Sequence, residues 1–139
     1  MRALIQRVSR AAVAVDATEV STIGPGLLVL LGVHVDDTGS HADQLAAKVR
    51  RLRIFADTDG RMNEPLGDRA VLCVSQFTLY GDARRGNRPS YVQAARPEHA
   101  QPLYERFCAA LDAHRGVFGA DMAVSLVNDG PVTLLLESR

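Results

Sequence analysis

Cysteine, net charge and long apolar runs are all scarce in this 139-residue chain, and each scarcity removes a class of protein. Only Cys73 and Cys108 are present, inside the runs Val71-Leu72-Cys73-Val74 and Phe107-Cys108-Ala109-Ala110. Thiols so placed read as free, buried groups in a reducing compartment, which excludes a disulfide scaffold. The longest apolar stretch, Leu27 to Val33, is far too short to span a bilayer. Arg7, Arg10 and Asp16 interrupt every N-terminal window long enough for a secretory signal. The expectation is a soluble, cytoplasmic protein with no membrane partner.

Sixteen basic residues balance sixteen acidic ones. Coating DNA or RNA requires many phosphates to be neutralised, and this balance excludes that role while leaving room for a local contact. His34, His41, His99 and His114 share no metal-ligand spacing with one another or with the cysteines. A phosphate-cradling loop is missing too. Gly24-Pro25-Gly26 precedes a strand rather than a helix, and its proline lacks the N–H donor needed. Nor is there a Gly-x-Ser-x-Gly elbow. No metal and no cofactor are expected.

What is present, at 47% hydrophobic residues, suffices for one buried core, and no repeat or linker divides the chain. We expect a single α/β domain spanning residues 1–139. Leu4–Val8 and Ala11–Val15 read as two short strands, and Leu27–Val33 as a strand buried on both faces. Ser40-His41-Ala42-Asp43 reads as a helix start, followed by Ala42, Leu45, Ala46, Val49 and Leu52 on one face. A strand near Ile54–Ala56 and a turn at Asp57-Thr58-Asp59-Gly60 come next. Ala70–Leu79 begins apolar and turns polar, and Gly81–Pro89 is a loop carrying Arg84, Arg85 and Arg88. Another basic cluster is Lys48-Val49-Arg50-Arg51-Leu52-Arg53. A second helix starts at Pro97 and is expected to reach about His114, burying Leu103, Phe107, Ala110 and Leu111. Two final strands, Met122–Val127 and Val132–Glu137, are expected around a turn at Asn128-Asp129-Gly130-Pro131. The fold is therefore mixed, largely antiparallel β structure with two main helices packed on one side.

Two polar segments end apolar strands. In Val74-Ser75-Gln76-Phe77-Thr78-Leu79, regular alternation would put Ser75 and Phe77 on one face and Gln76 and Thr78 on the other. A bend there would instead gather hydroxyls and successive backbone N–H groups into an oxyanion site. Periodicity alone leaves both possibilities open. Asn128–Thr133 is, by composition, an ordinary tight turn.

Together these segments resemble the Ser-Gln-x-x-Leu and Asn-x-Gly-Pro-Val-Thr motifs of D-aminoacyl-tRNA deacylases. Similar text runs through Met1–Val8, Gly26–Val33, Arg53-Ile54-Phe55, Arg85–Ser90 and Phe118–Met122, so the likeness covers nearly the whole chain. Its departures are small: slightly shorter loops after Asn63 and after the second helix, and Arg115 where threonine is common. The resemblance implies a homodimer, without metal, that hydrolyses the ester joining a D-amino acid to the 3′-terminal adenosine of tRNA. It implies catalysis around Ser75, Gln76, Phe77 and Thr78. It further implies substrate contacts from Met122 and from a cis Gly130–Pro131 unit that enters the partner's site, with Arg7 holding that unit in place. A non-catalytic tRNA-binding module and a purely structural dimer domain are the alternatives.

Overall fold

A computed structural model describes residues 1–138, and its first strand already departs from expectation. Instead of two short strands, β1 runs unbroken over Arg2–Val15. No Gly or Pro interrupts it, so nothing in the backbone forces a break. Alternation does slip, however. Ala3 and Ile5 point into the core beneath the helices, whereas Val8, Ala11 and Val13 belong to a second cluster with Ile23, Leu28, Leu72 and Val74. The slip falls where β1's pairing with the last strand shifts register, between Gln6 and Arg10. Bulges of this kind let one strand serve two cores.

Asp16 and Ala17 reverse the chain with φ of 50° and 62°. A two-residue turn with both φ values positive matches the right-handed twist of a hairpin. After it, β2 (Thr18–Ile23) and β3 (Gly26–Gly32) follow one another along the same edge of β1. Their registers, Ile23 opposite Ala11 and Gly26 opposite Val8, continue across Gly24-Pro25. β3 is the expected buried strand, with every residue from Gly26 to Gly32 buried except Leu30.

Helix α1 (Gly39–Arg51) is capped by Thr38 rather than by Ser40. His41 Nδ1 accepts the Thr38 backbone N–H at 2.9 Å, doing the work of the glutamate usual in a capping box. Ala42, Leu45, Ala46 and Val49 form its buried face as the spacing predicts. β4 (Phe55–Ala56) and β5 (Met62–Glu64) make a small separate hairpin. β6 (Ala70–Ser75) runs parallel to β3.

Helix α2 (Pro97–Ala110) starts where proline predicts but stops short of His114, which pairs with β6 instead in the two-residue strand β7 (His114–Arg115). Its buried stripe is Ala100, Tyr104, Phe107 and Cys108, continued by Leu111. Leu103 is only partly buried, and Ala110, expected inside, is exposed. The Tyr104 hydroxyl donates to the Cys73 carbonyl at 2.8 Å, tying α2 to β6.

The largest correction is at the C-terminal end. β8 is one strand, Ala123–Glu137, and lies antiparallel along the free edge of β1 from Ala14 to Arg2. Asn128–Pro131 therefore does not reverse the chain. It is a bulge, with Asn128 opposite Val8 and Thr133 opposite Gln6. The main sheet has six strands, β3–β6 and β6–β7 parallel and the rest antiparallel. Among the described residues, no helix is long and apolar enough to cross a membrane.

Candidate active site

β6 stops at Ser75 because the chain bends at Gln76 (φ −142°, ψ 78°) into a 3-10 turn, Phe77–Tyr80. Of the two readings left open by periodicity, the bend is the one adopted. Several contacts hold it. The Gln76 N–H donates to the Leu31 carbonyl at 2.8 Å, the last ladder bond to β3. Arg2 Nη1 donates to the Leu79 carbonyl at 2.8 Å, and its guanidinium stacks 4.6 Å from the Tyr80 ring centre. Gly32 makes room, since a Cβ there would sit 3.1 Å from both the Gln76 carbonyl oxygen and Leu79 Cβ.

A 3-10 turn leaves its first N–H donors without an intrahelical acceptor. Here those donors belong to Phe77 and Thr78, at exposed positions. The Gln76 side-chain amide donates to Thr78 Oγ1. Among the described residues, no histidine or lysine lines the cleft that opens beside this turn.

That cleft has a volume of about 600 Å³, a size suited to a small-molecule ligand. Ser75, Gln76, Phe77 and Met122 line it, with Tyr91, Arg96, Ala100 and Asp121 among the rest. Gly116 gives Met122 its place: a Cβ on Gly116 would come within 2.5 Å of the methionine sulfur. Thr78 stands at the turn but not in the lining. The sequence does not single out Tyr91, a lone aromatic in a polar loop. Its ring meets Phe77 edge-on with centroids 5.1 Å apart.

Arg7, Gly130 and Pro131 lie elsewhere, outside the lining of this cleft. Arg7 Nη1 donates to the Ile54 carbonyl at 2.7 Å, and Nε to the Asp129 carbonyl at 3.2 Å. Arg7 Nε is also 3.1 Å from Asp129 Oδ2. Asn128 Nδ2 donates to the carbonyls of Arg7 and Val132. Between these anchors the Gly130–Pro131 peptide is cis, and residues 128–131 are all exposed. One chain thus carries two separated clusters, the cleft and the bulge.

Two thiols belong to the hydrophobic core. Cys73 and Cys108 are free and buried, and burial pushes the Cys73 thiol well above its ordinary value.

The model of the D-Tyr-tRNA(Tyr) deacylase family matches residues 4–137. The D-aminoacyl-tRNA deacylase of Anaeromyxobacter dehalogenans is 56% identical, with 100% of this chain and 98% of that protein covered. The one from Symbiobacterium thermophilum is 54% identical, covering 100% and 97%. Among solved structures, one titled c-Myc DNA Unwinding Element Binding Protein superposes with a TM-score of 0.94 at 38% identity, covering 100% of this chain and 99% of that one. Another, titled a probable eukaryotic D-amino acid tRNA deacylase, has a TM-score of 0.84 and covers 98% of each chain. At 17% identity it speaks to the fold alone.

Proposed function

Because the chain belongs to the D-Tyr-tRNA(Tyr) deacylase family, we propose that it hydrolyses the ester between a D-amino acid and the 3′-terminal adenosine of tRNA in the cytoplasm. The single observation that carries the reading is the 3-10 turn, whose first donors are the Phe77 and Thr78 N–H groups, next to a cleft of about 600 Å³ that Ser75, Gln76 and Phe77 line. Water attacks the ester carbonyl, and these backbone donors stabilise the oxyanion that forms. A well-placed donor of this kind is worth about 3 kcal/mol of transition-state stabilisation. Ser75 and Gln76 orient the ester from the cleft wall, and Met122 packs against the substrate. An ester is activated enough to need no metal and no covalent nucleophile.

The enzyme acts as a homodimer in which each bulge completes the other copy's cleft. Three features support this. Residues 128–131 are exposed, they stand outside their own chain's cleft, and β8 exposes Val127, Leu134 and Leu135 alongside them. In the partner's site, Gly130 and Pro131 face the groups common to all aminoacyl esters, and Arg7 holds them there. Chirality is then read by excluding the L side chain. Glycyl-tRNA, with no side chain to exclude, is a substrate as well.

Matched D- and L-aminoacyl-tRNA test the reading directly. Ester loss from the D form alone is the expected result; equal rates, or no hydrolysis of either, would reject it. Sedimentation at working concentration should give a dimer, and a fully active monomer would reject the shared site.

A further inference from the structure

The loop leaving the 3-10 turn carries charge that the ester chemistry does not use. Gly81 closes the turn, and the chain returns at Tyr91 against Phe77. Between these points Asp82 and Ser90 exchange two backbone hydrogen bonds of 2.8 Å each, so residues 83–89 form a closed flap beside the cleft. Gly86 turns its tip at φ 106°, backbone that L side chains rarely adopt.

Charge on this flap is lopsided. Arg84 meets Asp82 through two bonds, Nε at 2.9 Å and Nη2 at 2.6 Å, and holds the Asp82 carboxyl down at about 2. Those two charges cancel. Arg85 and Arg88 are exposed and take part in none of the ion pairs among the described residues. They line a recess together with Asp82, Arg84 and the hydroxyl-bearing Ser90. The three arginines of the other basic cluster are hydrogen-bonded within the fold. Arg50 donates to the Ala110 carbonyl at the end of α2, Arg51 to its own helix, and Arg53 to Asn63.

Two uncompensated guanidiniums in a recess, on a chain of zero net charge, form a local anion site. The planar donor fork of arginine matches phosphate oxygens in particular. A phosphodiester strand suits the site better than a free anion, because the flap is anchored to the turn that would hold the ester. A tRNA whose 3′ end occupied the cleft would bring its preceding phosphates past the rim. The geometry points to Arg85 and Arg88 as a phosphate-binding site for the single-stranded 3′ end of tRNA. This inference rests on the deacylase reading above, but its binding can be measured apart from catalysis.

The test compares wild type with the double variant Arg85→Gln/Arg88→Gln. Binding is followed by fluorescence anisotropy of an RNA oligonucleotide ending in CCA. Hydrolysis is followed on D-aminoacyl-tRNA and on D-aminoacyl-adenosine, which has no phosphate. We expect the variant to bind the oligonucleotide about tenfold more weakly. Its slope of log affinity against log salt should be smaller by about 1.4, two contacts at about 0.7 each. KM for D-aminoacyl-tRNA should rise in step, while D-aminoacyl-adenosine is hydrolysed at the wild-type rate. Arg85→Lys/Arg88→Lys, which keeps both charges but loses the donor fork, should restore the salt slope while recovering only part of the affinity, and an unchanged melting temperature shows that the flap change is local. Unaltered oligonucleotide binding would overturn the proposal. So would equal losses on both esters, which would mean that the flap acts through the Phe77 turn. Inhibition of both esters by inorganic phosphate at constant ionic strength, abolished in the double variant, would assign the recess to a free anion and overturn it too. If neither ester is hydrolysed by wild type while the binding difference persists, the deacylase reading fails and the phosphate site stands.

Discussion

Arg7 Nε and the carbonyl oxygen of Asp129, 122 positions apart in the chain, meet at 3.2 Å. The same guanidinium reaches the Ile54 carbonyl at 2.7 Å, so one side chain on β1 braces the bulge of β8 against the segment before β4. Arg7→Ala should remove both bonds and lower stability by about 2 kcal/mol, the usual cost of losing hydrogen bonds to a charged group. Its effect on selectivity should be larger than its effect on folding. The rate ratio between D- and L-aminoacyl-tRNA should fall at least tenfold, measured at a temperature where the variant is fully folded. An unchanged ratio would leave Arg7 with a structural role only.

Thr78 and Ser75 offer hydroxyls, yet the donors at the head of the 3-10 turn are backbone groups that survive any side-chain change. Thr78→Ala and Ser75→Ala should each keep measurable turnover, slowed but not abolished. Rapid quenching of the wild-type reaction followed by mass spectrometry should show no acylated enzyme. An ester adduct on Thr78 would establish covalent catalysis in place of direct attack by water.

Burial raises the Cys73 thiol well above its ordinary value of 9.0. A thiol held protonated in the folded state adds stability that is complete below the ordinary value. As pH rises past 9.0, the unfolded chain releases its proton while the folded chain keeps it, so stability should fall. Melting temperature should decline across that range, and Cys73→Ser, titrated in parallel, should lose part of the decline. At pH 8 a thiol reagent should leave native protein unlabelled and react at both cysteines after denaturation.

Gly26 faces Ala70 where β3 meets β6, and a Cβ on it would lie 1.9 Å from the Ala70 carbonyl oxygen. Backbone, unlike a flexible side chain, has nowhere to go. Gly26→Ala should destabilise the fold by about 3 kcal/mol through overpacking. It should also displace the start of β6, the strand that leads into Ser75. Chemical denaturation measures the first effect and kcat the second, with Gly24→Ala, open on all sides, as the neutral control.

Glycine separates two ways of reading handedness. A site that tolerates many D side chains must select by rejecting the L side chain, and glycine has none to reject. Rates on D-alanyl-, glycyl- and L-alanyl-tRNA should therefore rank D-alanine and glycine together, well above L-alanine. If glycine falls with L-alanine, a pocket for the D side chain is doing the selecting.

Sequence alone determined those elements whose periodicity has one solution. The apolar run after Gly26 is short and bounded by turn residues, as a buried strand is, and Ala42, Leu45, Ala46 and Val49 share one face at helical spacing. Proline at position 97 marked a helix start because a missing N–H costs nothing there. Recognition of the two motifs likewise needed no coordinates. The tertiary structure decided what local preference leaves degenerate. Ser75–Leu79 alternates well enough for a strand, but the bond from Gln76 to Leu31 and the grip of Arg2 on Leu79 bend it into a turn. Asn128–Pro131 has the composition of a hairpin turn, yet β8 keeps its direction because both halves find hydrogen-bond partners on β1. Turn residues set the local φ and ψ; whether a chain reverses depends on partners more than a hundred positions away, and no short window of sequence contains them.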